Sequence, residues 1–359
     1  MLKLYHKYLI NKFMNNFLKM TAIFFFLILV LSILEEISFF KNLDENIFYP
    51  YLLTLLNAPI TLFEIFPFIF LLSTQFLFND LNNSQEIILL KKNGLSNLKI
   101  IKIVFFLSLV IGIFNVLIVY NLSTALKFQY SNIKNNFSKD NKYLAMVTES
   151  GLWIKDEIND KIFIIKSKLI NKQYLLQTII NEFDLEFTLQ RVIQSEKVDI
   201  SDKNWIVFKP TITINNTDEV SNQTINLETN FDSKKIYNLF SDVYTFDLIK
   251  LFNLKKDYEK LGYSSDEIKI HILKIISVPI LYGLLTTLSS IIMLGFTKNK
   301  PLILNIIIGI LISVIIYYIN FIFSALGASG KIPILASIFF PLLFLSIIII
   351  IGLININEK

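Results

Sequence analysis

The sequence predicts a membrane-embedded α-helical bundle of six transmembrane helices, in a 3+3 layout, with an inserted all-β, jelly-roll-like domain. Three observations carry this prediction. The 359-residue chain is 53% hydrophobic with 33 Phe and a mean hydropathy of +0.56, too apolar for a water-soluble domain with 18% charged residues. Six runs are long enough to cross a bilayer, which takes ~20 mostly apolar residues because backbone polar groups in hydrocarbon must be satisfied within the segment. Between the third and fourth runs the pattern changes to short stretches that alternate along the chain.

The first run is roughly 21–34, extended by Phe17 and Leu18 before it and by 37–40 after it. The second covers about 52–78 and is interrupted by Pro59, Glu64 and Pro67. The third spans 100–120, the fourth 271–296, the fifth 302–326 and the sixth 332–353. The expected organisation is an N-terminal transmembrane half over 1–138, a β-domain over 139–245 and a C-terminal transmembrane half over 246–359. A basic start before an apolar run is also the pattern of a cleaved leader. Here the run is too long and "LEEISFF" follows in place of a small-x-small site, so a retained anchor is expected.

Lysines set the expected orientation, since short cytoplasmic loops keep excess positive charge. Lys3, Lys7, Lys12 and Lys19 precede the first span, Lys91, Lys92, Lys99 and Lys102 lie between the second and third, and Lys298 and Lys300 separate the fourth and fifth. The loop after the first span carries Glu35, Glu36, Asp44 and Glu45 against Lys41. Both termini are therefore expected in the cytoplasm and the β-domain outside. The net charge of +5 is read as topological, with no basic and aromatic interleaving that would point to nucleic acid.

In the polar stretch, "KIFIIKS", "LEFTLQRVI", "NWIVFKPTITI" and "QTINLET" read as strands, rich in Ile, Val, Phe and Thr and separated by polar breaks. Such spacing suggests a sandwich or jelly roll. Trp153 and Trp205, the only tryptophans, are expected as its buried anchors. After it, an amphipathic helix, a stop at Gly262 and a fresh helix start over 264–267 lead back to the membrane.

With no cysteine, disulfides and thiolate chemistry are excluded. His6 and His271 are too far apart in this topology to share a metal, no nucleophile–base constellation is present, and no cofactor is expected. "GASGKIP" (327–333) has the glycines and lysine of a phosphate-binding loop, but Ile332 stands where Ser or Thr would hold magnesium, and two spans flank it. It reads as a tight turn with Pro333 opening the next helix. Glu35 and Glu36 read as solvated at the membrane edge, and Glu64 is left open between ion coupling and a helix-packing hydrogen bond.

Several stretches then carry a family resemblance. "GLWIKD" (151–156) opens the outer domain, "INEFD" (180–184) is followed by "DKNWIVF" (202–208), and "SQEIILLKKNGLS" (84–96) falls between the second and third spans. "LKIISVP" (273–279) and "GKIPILASIFFPLLF" (330–344) belong to the fourth and sixth. In order and spacing these resemble the LptF/LptG permeases of the lipopolysaccharide export transporter, along essentially the whole chain. The Gly151, Leu152, Trp153, Lys155, Asp156 motif looks more like the LptG side. The basic cluster expected of the family near the outer end of the first span is reduced here to Lys41.

The resemblance implies a permease that takes lipopolysaccharide from the outer leaflet of the inner membrane and has no ATPase site of its own. Implied partners are a cytoplasmic LptB-like ABC ATPase dimer, a homologous LptF-like permease and a periplasmic LptC/LptA-like bridge protein. It also implies that the first and fifth spans border the substrate opening. The segment 83–96 would dock on the ATPase through Glu86, Ile87, Leu89 and Leu90, with Lys91 and Lys92 at the negative end of the helix dipole, Gly94 stopping the helix and Ser96 matching the family at the end of the stretch. The alternative is an amphipathic loop resting on headgroups. Lys41, Lys274 and Lys331 are candidate partners for substrate phosphates, or lysines that snorkel to the interface. A sister LptF-type permease and a non-transporting sensor or scaffold are the competing readings.

Overall fold

The computed structural model describes residues 4–41, 48–137, 152–171, 173–214, 217–220, 223–240, 242–260, 263–295 and 302–357. They form two compact units, one of Met1–Tyr130, Phe246–Leu248 and Asp266–Lys359, the other of Ser131–Thr245 and Ile249–Ser265. Gly151, Gly262, Lys298 and Lys300 lie outside the described residues.

Helices α1 (Leu4–Phe40), α2 (Phe48–Asn83) and the short α3 (Glu86–Lys92) come first. Then α4 (Asn97–Phe114) runs through a π-helical turn, Asn115–Tyr120, into α5 (Asn121–Phe137). Two shorter helices, α6 (Ser233–Phe240) and α7 (Leu248–Lys260), precede α8 (Asp266–Gly295), α9 (Leu302–Ala328) and α10 (Ile334–Asn357). Among the described residues six segments are long and apolar enough to cross a membrane: Leu4–Phe40, Phe48–Asn83, Asn97–Phe137, Asp266–Gly295, Leu304–Ala328 and Ile334–Ile356. Most overrun the apolar runs of the sequence, because each added residue extends an existing hydrogen-bond ladder without a new nucleation cost.

The helical unit is organised around α8, which packs against α2, α4, α9 and α10. Leu71 and Leu72 of α2, Leu285, Leu288 and Ile292 of α8, and Leu345 and Ile349 of α10 form a core cluster. Gly112 lets α4 touch α8, since a Cβ there would stand 2.7 Å from the Pro279 Cα. Buried polar groups are satisfied across helices: Ser289 donates to the Leu71 carbonyl at 2.8 Å and Gln75 Nε2 to the Asn305 carbonyl at 3.1 Å. At the end of the π turn, buried Tyr120 donates its hydroxyl to the Phe246 carbonyl at 3.0 Å. With that proton committed, the phenol oxygen accepts from His271 Nε2, 3.1 Å away, which fixes the imidazole tautomer.

One expectation is corrected here. Glu36 is not solvated at an edge: it is 2% exposed and accepts a hydrogen bond from the Tyr130 hydroxyl at 2.8 Å. The donor comes from α5, at the far end of the third spanning segment. Glu35, one residue away on the helix, is exposed as expected.

In the second unit eight antiparallel strands make one curled sheet, a half-barrel. They are β1 (Leu152–Ile158), β2 (Lys161–Asn171), β3 (Tyr174–Asp184), β4 (Leu189–Asp199), β5 (Asn204–Phe208), β6 (Thr211–Ile214), β7 (Thr217–Val220) and β8 (Ile225–Glu228). The order is β1-β2-β3-β4-β5-β8, with β6 paired to β4 and β7 to β6. Leu152, Ile154, Ile165, Ile180, Ile193 and Val207 fill the inner face at alternate positions.

Trp205 joins that face fully buried, its Nε1 donating to the Phe231 carbonyl at 2.7 Å. Trp153 does not, which corrects the second anchor. It lies between the inward Leu152 and Ile154, so strand alternation turns it outward, 44% exposed, with Lys166 Nζ 4.8 Å from its ring centroid.

The stretch "LEFTLQRVI" is likewise not one strand. Asp184 Oδ1 accepts from the backbone N–H of Glu186 at 3.0 Å and of Thr188 at 2.8 Å, Phe187 takes φ 60°, and β4 starts only at Leu189. The Thr188 N–H, the strongest of these influences, holds the Asp184 carboxyl below its usual range. Beside it, buried Glu182 accepts from Lys161 at 2.8 Å and Arg191 at 2.5 Å. Burial alone would push this carboxyl up, and the two cations outweigh it and hold it below the usual range.

Candidate functional site

The loop between α2 and α3 turns sharply at Gln85, which sits in the left-handed region at φ 54°. Asp80 of α2 accepts from Asn16 Nδ2 of α1 at 2.9 Å, so the end of α2 is held against α1. Helix α3 ends in a Schellman motif: Leu95 N–H reaches the Leu90 carbonyl at 3.1 Å and Gly94 N–H the Lys91 carbonyl at 2.9 Å. Gly94 stands at φ 82°, a conformation that glycine adopts at little cost. Ser96 then caps α4, its Oγ accepting from Lys99 N–H at 3.3 Å. Gly94 and Ser96 are thus the punctuation of this segment.

Glu86 opens α3 and is engaged within the chain. Its Oε2 accepts from Lys12 Nζ at 2.6 Å and from the Tyr8 hydroxyl at 2.5 Å, both on α1. Partial burial pushes the carboxyl up, but these two donors prevail and keep it below the ordinary Glu range. Ile87 turns inward at 5% exposure, while Ile88 and Leu89 are exposed at 53% and 57% and Leu90 is half-buried. Lys91 and Lys92 are exposed at the C-terminal end of α3. The outward apolar pair is therefore Ile88 and Leu89. The sequence reading missed Ile88, Tyr8 and Lys12; the one available signal was the i, i+4 spacing of Tyr8 and Lys12 on a helix.

The three lysines stand on separate elements. Lys41 is exposed in the turn that ends α1. Lys274 is half-buried on α8, within electrostatic reach of Glu64 on α2. Lys331 is exposed beside a cavity of about 430 Å³ that Asp266, Gly327 and Pro333 also line. The glycines of that turn serve the chain path: Gly330 has φ 71°, and a Cβ on Gly327 would stand 2.5 Å from Ser337 Oγ.

The residues of the outer motif build the sheet. Leu152 is buried, and Lys155 Nζ lies 5.5 Å from the Phe187 ring centroid. Asp156 is buried and clasps Asn230, accepting from its backbone N–H at 2.9 Å and its Nδ2 at 2.8 Å. Among the described residues no group of His, Cys, Asp and Glu is placed to hold a metal ion.

The family model described as lipopolysaccharide export system permease LptF/LptG matches residues 7–355. The chain belongs to this family. As an LptF/LptG permease it is a multi-pass inner-membrane component of an ABC transporter complex for lipopolysaccharide export, which includes an ATPase and a partner permease. A search of curated proteins finds no match. The LptF/LptG match takes in both spanning halves and the β-domain between them, so it covers α3 and the outer motif together.

Proposed function

We propose that this chain is the LptG-side permease of the exporter, extracting lipopolysaccharide from the outer leaflet and driven by a partner ATPase. The observation that carries the coupling part is the geometry of α3. It is a short helix between two spans, pinned to α1 through Glu86, with Ile88 and Leu89 turned outward. An ATPase groove that takes up this face would pull on α1 through the Lys12–Glu86 pair. The LptG assignment rests on the "GLWIKD" opening of the β-domain.

The exposed faces of α1 and α9 support the substrate path. In their apolar windows 11% of residues are buried, against 61% in α8, so these two spans keep the most surface for a partner permease or a lipid. Lys41, Lys274 and Lys331 are proposed as phosphate partners at the outer boundary. Both termini lie in the cytoplasm on this reading, and the β-domain meets an LptC/LptA-like bridge in the periplasm.

Because the chain has no cysteine, orientation is open to single-cysteine labelling. Lys92→Cys is expected to react with a membrane-impermeant maleimide only after the cells are opened, and Lys331→Cys in intact spheroplasts. Labelling of Lys92→Cys from outside would reverse the topology and end the transport reading. The function itself is tested by ATP-dependent release of lipopolysaccharide from vesicles holding the reconstituted complex. Lys41→Glu should slow release more than Lys41→Ala, which loses attraction worth ~1 kcal/mol and adds no repulsion. Equal release by wild type and Lys41→Glu would leave this lysine a snorkelling anchor.

A further inference from the structure

A groove of about 470 Å³ runs between the N-terminal parts of α1 and α4. Tyr5 and His6 of α1 and Lys99, Lys102, Phe106 and Val110 of α4 line it. The α4 residues recur at spacings of three and four, which places them on one helix face. Lys99 and Lys102 occupy the first two turns, and Val110 lies ~12 Å beyond Lys102 along the axis at 1.5 Å per residue. Phe106 and Val110 are both largely exposed. No carboxylate lines the groove. Among the described residues neither lysine forms an ion pair, and the buried Nδ1 of His6 has no hydrogen-bond partner.

The groove is therefore cationic at one end and apolar along the rest, on a chain that spans a bilayer. That polarity complements an anion joined to a hydrocarbon chain at the boundary between water and hydrocarbon. A free phosphate would leave the Phe106 and Val110 surface uncovered, and a zwitterionic lipid would carry its own cation to the lysines.

We propose that this groove binds an anionic phospholipid of the leaflet that meets the lysine-rich end of the bundle. Its phosphate is held by Lys99 and Lys102, and one acyl chain lies along Phe106 and Val110. Lys99 Nζ also lies 3.5 Å from the Gly94 carbonyl, in the turn that closes α3, so the bound headgroup sits beside the proposed coupling segment. This lipid is a resident ligand and not cargo, because on the transport reading cargo enters from the opposite leaflet. The proposal needs only that the helical unit lies in a bilayer.

The test uses the full chain in nanodiscs of equal parts phosphatidylglycerol and phosphatidylcholine, followed by detergent washing and mass spectrometry of retained lipid. Wild type should keep phosphatidylglycerol in preference. The double variant Lys99→Gln, Lys102→Gln should lower its retention about ten- to thirty-fold, since each lysine near an anionic headgroup contributes separately. Val110→Trp, which fills the groove and leaves the charges in place, should lower it too, and Lys168→Gln on the β-domain should not. Equal retention of both lipids, or unchanged retention in the double variant, overturns the site. So does a photo-crosslinker at position 106 that captures a protein-sized partner in place of lipid. Absence of the lipid preference in wild type, with ATP-dependent release intact, removes this site alone; failed release by wild type with the lipid retained removes the transport reading alone.

Discussion

In the assembled transporter, Glu86→Lys is expected to reduce copurification of the ATPase about tenfold while the β unit stays folded. The reason lies in two short contacts, from Lys12 Nζ at 2.6 Å and the Tyr8 hydroxyl at 2.5 Å, which Glu86 alone receives at the start of α3. Reversal sets two ammonium groups against each other where a charge-assisted pair stood, a change of about 1–2 kcal/mol at this half-exposed site. The decisive control is the exchange of charges, Lys12→Glu with Glu86→Lys. If the pair positions α3, the exchange restores most of the copurification. If Glu86 instead touches the ATPase directly, the exchanged protein stays as poor as Glu86→Lys. The pH dependence has a definite sign. A carboxyl held below its ordinary value stabilises the pair above the usual Glu range and loses it only as pH falls through the lower, folded value. Copurification of wild type should therefore be flat between neutral pH and mild acid.

Trp205→Ala is expected to cost the β unit about 3–5 kcal/mol, as full removal of a buried aromatic ring does. The indole is completely buried and its Nε1 makes a 2.7 Å bond to the Phe231 carbonyl, so substitution leaves both a cavity and an orphaned acceptor. A loss of this size is a large share of the ~5–15 kcal/mol that holds a domain together. Limited proteolysis of the full chain in detergent reads it out as new cleavage within 152–228. Trp153→Ala is the matched comparison, because this ring is exposed on the outer face with the Lys166 ammonium over it. It should cost under about 1 kcal/mol. Equal protease sensitivity of the two variants would mean that the inner and outer faces of β1 have been exchanged.

The spans were legible because hydropathy reports directly on where backbone polar groups must be self-satisfied, and six apolar runs leave few ways to arrange the chain. The stop of α3 was legible too, because Gly94 has a backbone role that a single residue announces, whereas Ser96 stood only as a family match and its cap on α4 emerged with the structure. Burial of individual polar or aromatic side chains was not. Trp153 and Trp205 look alike in sequence, and only the register of β1 separates them. Glu36 reads as an edge residue until the long helix that carries Tyr130 is in place. Glu86 was singled out for its charge, but its partners lie 74 and 78 residues away, a separation that no local pattern encodes.

The π turn at Asn115–Tyr120 sets a constraint on how the third span can be altered. Ser108, Gly112, Val116, Tyr120 and Thr124 are all buried, one at every fourth residue. In a regular α-helix each four-residue step drifts by about 40°, so this row would wind away from its neighbours within a few turns. The wider π turn takes up the drift and keeps the row in phase. The two halves of the span are thus geared to each other through six residues. Removing a single residue there would close the turn to regular α-helix and leave the two halves nearly in phase, whereas the same deletion elsewhere in the span would turn everything beyond it by about 100° and present lipid-facing side chains to the bundle.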